Sequence, residues 1–135
     1  MELLNNKLTL LVPAEDNDGK AIDVDGIEKV LINTAGGCTV FDAKGDWVSG
    51  GRIYGDNIKA MQVNYADVDA EAIQVVFAKM IIYLFDWGGQ KAVSVESYNG
   101  LTIYNKKDRK MLAQIIADDR KKRKQHLAKA KAGTL

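Results

Sequence analysis

Apolar and polar positions along the chain alternate in short runs, switch to helical spacing, and alternate again. Residues 7–12 (Lys-Leu-Thr-Leu-Leu-Val) read as a first strand, ended by Pro13, which cannot donate to a ladder. After a polar segment, Asp25-Gly-Ile-Glu28 has the spacing of a capping box. Ile27, Val30, Leu31 and Ala35 then mark one face of a short helix stopped by Gly36-Gly37. Residues 38–41 are a second strand, 43–46 a turn and Trp47-Val48 the return, while Lys59, Met61, Val63 and Tyr65 alternate with Ala60, Gln62 and Asn64 as in a half-buried strand.

The second helix, with Asp67 or Asp69 as its cap, carries the strongest periodicity. Ile73, Val76, Phe77, Met80, Ile81, Leu84 and Phe85 form one apolar stripe ending at Gly88-Gly89. Val75, Ile82 and Tyr83 fall outside it, so the helix has more apolar surface than one sheet face covers. Either the C-terminal helix or a second subunit is expected there, and these three residues are the candidate oligomer interface. Residues 92–98 and 101–104 flank Asn99-Gly100, a strong two-residue hairpin signal. From Lys106 the chain has helix formers and no proline, and Met111, Leu112, Ile115 and Ile116 give one apolar patch. A helix over 106–132 would run about 40 Å, its distal half with little to pack against.

This order predicts an α+β fold: a ferredoxin-like βαββαβ antiparallel sheet with two helices on one face, an extra C-terminal hairpin strand and a long basic helix. The 135 residues fit an acidic α+β domain over 1–105 and a basic helical extension over 106–135. Charge follows that boundary and changes the picture. The overall +1 conceals eight Lys/Arg against fifteen Asp/Glu before residue 106, a net of −7. After it stand eleven against three, a net of +8. A lone cysteine excludes an intrachain disulfide framework and a Cys-rich zinc site. No apolar run reaches the roughly 18–20 residues of a spanning helix. The N-terminus has no basic-then-apolar leader, so no membrane association and a cytoplasmic location are expected.

The string from Gly37 to Trp47 (Gly-Cys-Thr-Val-Phe-Asp-Ala-Lys-Gly-Asp-Trp), followed by Gly50-Gly51-Arg52-Ile53 and an Asp/Ala-rich helix start, resembles a family of small bacterial domains of unknown function over about residues 6–104. The resemblance implies a ferredoxin-like fold and carries no catalytic residues. The basic tail departs from that family's pattern.

Four groups of residues have chemistry to offer. The acidic stretch from Glu15 to Asp25 approaches a calcium-loop spacing around Gly19, but the first ligand position would be Ala14, which has no donor, so no metal is called for. Cys38 and His126 are the only thiol and imidazole, far apart in sequence, and the helical His126 has only basic and neutral neighbours. Gly50, Gly51, Arg52, Trp47 and Tyr54 are the candidate ligand site: glycines admit an anion to the backbone, Arg52 offers a planar fork and the two rings a stacking surface. Arg120, Lys121, Lys122, Arg123, Lys124, Lys129 and Lys131 form a cationic helix suited to nucleic-acid phosphates or an acidic protein partner. All ten aromatics lie between Phe41 and Tyr104, so the tail has no stacking platform.

No nucleophile–base pair, P-loop or cofactor motif stands out. The sequence is therefore expected to encode a non-enzymatic binding or interaction domain: a homodimeric bacterial or mobile-element accessory or inhibitor protein without a cofactor. One alternative is a nucleic-acid-associated protein using the basic helix. Another is a small enzyme or sequestering protein that holds an anionic ligand at Arg52.

Overall fold

The structure, a computed structural model, describes residues 1–133. The chain runs β1 (Asn6–Pro13), α1 (Val24–Ala35), β2 (Thr39–Ser49), β3 (Arg52–Tyr65), α2 (Ala70–Asp86), β4 (Ala92–Ser97), β5 (Gly100–Asn105) and α3 (Arg109–Lys131). One antiparallel sheet has the order β2-β3-β1-β4-β5. Its first four strands with α1 and α2 make the ferredoxin-like βαββαβ unit, β5 extends the sheet by one hairpin strand, and the helices pack on a single face.

Strand alternation fixes which face that is. Leu10 and Val12 of β1, Met61 and Val63 of β3, and Val93 and Val95 of β4 are buried in one core with Ile27 and Leu31 of α1 and Ile73, Phe77, Ile81 and Leu84 of α2. The intervening residues point to the other face, over which no helix lies.

Two boundaries differ from the sequence reading. The α1 cap is Asp23, whose Oδ1 accepts from the Gly26 amide at 3.0 Å, and Asp25 lies in the first turn. Ile22 just before the cap and Ile27 at the fourth helical position are both in the core, the placement of a hydrophobic staple, and this fixes the earlier start. The second difference is larger. Residues 43–46 are not a turn: β2 runs unbroken to Ser49, with Lys44, Gly45 and Asp46 paired to Asn57, Asp56 and Gly55. The chain reverses at Gly50-Gly51, where φ is 60° and 76°, the left-handed pair that a tight two-residue hairpin requires and that two glycines supply without strain. Since β1 pairs β3 only from Ile58 onward, residues 44–57 extend past the sheet as a two-stranded arm.

The long helix docks along its first half. Arg109 donates to both carboxylate oxygens of Asp86 at 2.6 and 3.2 Å, and Lys122 donates to Glu71 at 2.7 Å. The start of α3 is thus tied to the end of α2 and its middle to the beginning, which makes the two helices antiparallel. Between the ties Leu112 is buried, and Ile115 and Ile116 pack on the core. From Lys121 to Lys131 every residue is exposed. Among the described residues no helix is long and apolar enough to cross a membrane.

Candidate active site

The α2–α3 hairpin does not close fully onto the sheet. Where α2 and α3 pass over β1, β4 and β5 they leave a cavity of about 240 Å³. Leu8, Val95 and Leu112 form apolar wall. Three rings, Tyr65 at the end of β3, Phe77 on α2 and Tyr104 on β5, face the same space. Gln74 on α2, Ser97 on β4 and Thr102 on β5 supply the neutral donors and acceptors. An apolar, aromatic chamber with a few convergent polar groups is the usual make-up of a small-molecule site.

Gln74 and Ile115 also line an adjoining hollow that contains Asp67, Glu71, Asp118, Asp119 and Lys122. The partners of its four carboxylates decide its electrostatics. Glu71 is paired with Lys122 and Asp119 with Arg123, at 2.7 and 3.0 Å. Asp67 accepts from the side-chain amide of Asn6 at 2.6 Å, and Asp118 from that of Gln114 at 2.8 Å. Amides orient a carboxylate without pairing its charge, so among the described residues Asp67 makes no ion pair, and Asp118 is reached by the Lys122 ammonium only at longer range. Because Asp67 is engaged with Asn6 and Asp69 makes no capping bond, α2 is entered through a single 3-10 turn and not through the expected Asp cap. Burial and the Asp67 charge both raise the Tyr65 hydroxyl above its ordinary value, burial being the larger cause, so at neutral pH Tyr65 is a donor.

The residues singled out from sequence lie elsewhere. Trp47 and Tyr54 are direct cross-strand partners with stacked rings 5.5 Å apart, and the Arg52 guanidinium sits 5.9 Å from the Tyr54 ring. They are brought together as expected, but at the exposed end of the β2–β3 arm, where Gly50 and Gly51 form the reversal. Val75, on the α2 face expected at an oligomer interface, is 4% exposed and sits beside Ile115 and Asp118 of the chain's own α3. Ile82 and Tyr83 are half-buried against the core. Of the basic run, Lys122 and Arg123 are engaged with Glu71 and Asp119, while Arg120, Lys121, Lys124, Lys129 and Lys131 are exposed along the helix.

Cys38 and His126 line separate hollows, the first with Gly36, Gln62 and Asn64, the second with Val68 and Leu127. Burial, and secondarily Glu28, raise the Cys38 thiol, so it stays protonated and poorly nucleophilic. In the acidic loop, Asp16 Oδ1 accepts from the amides of Asp18 and Lys20 at 2.9 and 2.8 Å, a turn-forming role. Among the described residues no cluster of three or more His, Cys, Asp or Glu side chains has metal-binding placement.

No protein-family model and no curated protein matches the chain. Two solved structures share its fold. A phage SAM lyase in complex with S-methyl-5′-thioadenosine superposes with a TM-score of 0.55 at 13% identity, covering 78% of this chain and 95% of the lyase. A phage SAM lyase in the apo state gives 0.53 at 14% identity, with coverage of 78% and 94%. The likeness is one of fold. It nonetheless overturns the expectation of a non-enzymatic interaction domain, which rested on the lack of a familiar catalytic motif: nearly the whole of an enzyme is built on this architecture.

Sequence reasoning missed the chamber because its walls come from six elements spread along the chain. Tyr65 ended a strand pattern and Phe77 belonged to a helix stripe, so each had an ordinary packing role. Gln74, on the polar side of an amphipathic helix, carried no signal at all.

Proposed function

We propose that this protein is a lyase acting on SAM (S-adenosylmethionine), with S-methyl-5′-thioadenosine as one product. The observation that carries the reading is the union of an aromatic, amide-bearing chamber with a hollow in which Asp67 and Asp118 form no ion pair among the described residues, on the fold of a phage SAM lyase. The substrate has matching halves: an adenosine whose ring stacks on aromatics, and a sulfonium with an α-ammonium that carboxylates attract. Tyr65, Phe77 and Tyr104 would take the base, with Gln74, Ser97 and Thr102 for its edge and the ribose. Asp67 and Asp118 would face the cationic half.

The chemistry demands little of the protein. A sulfonium is its own leaving group: when the bond from sulfur to the methionine side chain breaks, the electron pair returns to sulfur and neutral S-methyl-5′-thioadenosine departs. The electrophilic carbon can be taken by the substrate's own carboxylate, closing a lactone with no proton to be moved. The protein's part is to hold that carboxylate against the carbon and to surround the cation until its charge disappears. A chamber lined by no cysteine or histidine is adequate for that.

Purified protein incubated with SAM should release S-methyl-5′-thioadenosine, followed by chromatography. Asp67→Asn and Gln74→Ala should each lower kcat/KM about tenfold or more, as expected when a polar contact to bound substrate worth about 1–3 kcal/mol is lost. Absence of turnover, together with absence of thermal stabilisation by S-methyl-5′-thioadenosine, rules the reading out.

A second reading concerns α3 alone. Residues 120–131 hold seven Lys/Arg and no carboxylate, on an exposed helix. Such a segment supports electrostatic contact with nucleic-acid phosphates, independent of what the chamber does.

A further inference from the structure

The entrance to α2 forgoes a bond that its own sequence could make. Asp67 and Asp69 stand in the turn that opens the helix, where a carboxylate ordinarily accepts from free backbone amides, yet neither makes a side-chain capping bond. Asp67 is turned to β1 instead. Asn6 Nδ2 donates to Asp67 Oδ1 at 2.6 Å, and to the Tyr65 carbonyl and Asn5 Oδ1 at 3.3 Å each. The register of the sheet places it there, since Asn6 is the direct partner of Tyr65 on β3. One side chain at the start of β1 thus grips both Tyr65, which lines the chamber, and Asp67, which lines the adjoining hollow.

We propose that Asn6 is a positioning residue for the lyase reaction: it fixes Asp67 so that Oδ2 meets the α-ammonium of SAM. This role rests on the lyase reading of the chamber. Three features select it. An amide is a neutral donor, so it orders a carboxylate and leaves its charge for a ligand, which a lysine or arginine in the same place would not do. The bond takes up Oδ1 alone, and among the described residues Oδ2 has no hydrogen-bond partner. A fixed direction is useful only toward a ligand with directional donors. The α-ammonium has such N–H bonds, whereas the sulfonium has none and feels a carboxylate as a charge at any orientation. A carboxylate serving only to cap α2 would face the helix amides, and one serving only solvation would need no clamp from a residue 61 positions away.

Steady-state kinetics of the full chain with SAM, and inhibition by S-methyl-5′-thioadenosine, test the role. The ammonium keeps its charge while the carbon–sulfur bond breaks, so its contact is equal in ground state and transition state and its loss shows in KM. Asn6→Ala should raise KM for SAM about five- to tenfold and change kcat by less than about twofold. S-methyl-5′-thioadenosine is neutral and lacks the amino-acid half, so its inhibition constant should stay within about twofold of the wild-type value. A substitution that merely loosened the strand end or Tyr65 would weaken SAM and product together. In an Asp67→Asn background, Asn6→Ala should add less than about a further twofold, because the charge it aims is gone. Asn6→Leu, similar in shape but without the amide, should behave as Asn6→Ala does, and it decides if the alanine variant does not fold. A wild type that does not turn over SAM removes the lyase reading and this role with it. A wild type that turns over SAM, with KM unchanged in the variants, with SAM and product weakened alike, or with the effects of the two substitutions multiplying, overturns the role of Asn6 and leaves the lyase reading standing.

Discussion

Asp86 shows how a single exposed side chain determines the placement of an element. Its two oxygens receive the Arg109 fork, and that hydrogen bond, ahead of the attraction between the charges, holds the carboxyl below its usual range and the guanidinium above its own. A carboxyl lowered in the folded state binds fewer protons there than in the unfolded chain, so its contribution is complete above the ordinary aspartate value and is lost as pH falls through the lowered one. Comparing thermal midpoints of wild type and Asp86→Asn should therefore show a gap at pH 7 that narrows below about pH 4 and closes as pH falls through the lowered carboxyl value. The gap should also shrink in high salt, since both groups are exposed. A gap constant across that range would mean that Asp86 acts through packing and not through its charge. Tyr65 is the opposite case: its raised hydroxyl keeps its proton through the whole neutral range and so remains a hydrogen-bond donor at the chamber wall.

At the scale of elements, the helix α3 is two things joined end to end, and Leu112 marks the first. It is buried between α2 and the sheet and lines the chamber, whereas Leu127, on the same helix, is exposed. Leu112→Ala should cost about 2–4 kcal/mol in urea unfolding and weaken S-methyl-5′-thioadenosine binding, while Leu127→Ala should change stability by less than about 0.5 kcal/mol. Equal effects would show that the distal half packs as tightly as the proximal one. The sequence made this division visible, because Leu112, Ile115 and Ile116 cluster and no apolar residue larger than alanine follows until Leu127. Likewise β3 was legible from its alternation and α2 from its stripe. The arm was not: Lys-Gly at 44–45 and Gly-Gly at 50–51 both read as breaks, and only pairing across the hairpin selects the second. The chamber was illegible for a related reason. Local patterns record which way a side chain points, but not which distant strand end it will meet, and Tyr65, Gln74 and Tyr104 become neighbours only through the order β3-β1-β4-β5 and the helix above it.

For the whole molecule, the −7 and +8 halves are not simply matched against each other. Lys122 and Arg123 answer Glu71 and Asp119, and Arg109 answers Asp86, which consumes three cations of the tail within the fold. Arg120, Lys121, Lys124 and Lys131 remain exposed on a helix that runs beyond its last tie at Lys122. A polyanion meeting Lys124 and Lys131, past Lys122, is held off the acidic body by up to nine residues of helix, about 14 Å and more than a Debye length at physiological salt, whereas Arg120 and Lys121 stand beside the docked stretch. Nucleic-acid binding by this route would be independent of sequence and steeply dependent on salt. Four phosphate contacts correspond to a slope of about −3.6 in log affinity against log salt on duplex DNA. Fluorescence anisotropy with a generic duplex should give a slope near that value for the full chain. For the full-length triple variant Lys121→Gln, Lys124→Gln and Lys131→Gln it should fall by about 2.7 units, with SAM turnover untouched. If the two proteins share one slope, or neither binds, the exposed cations serve the protein's solvation and the second reading falls.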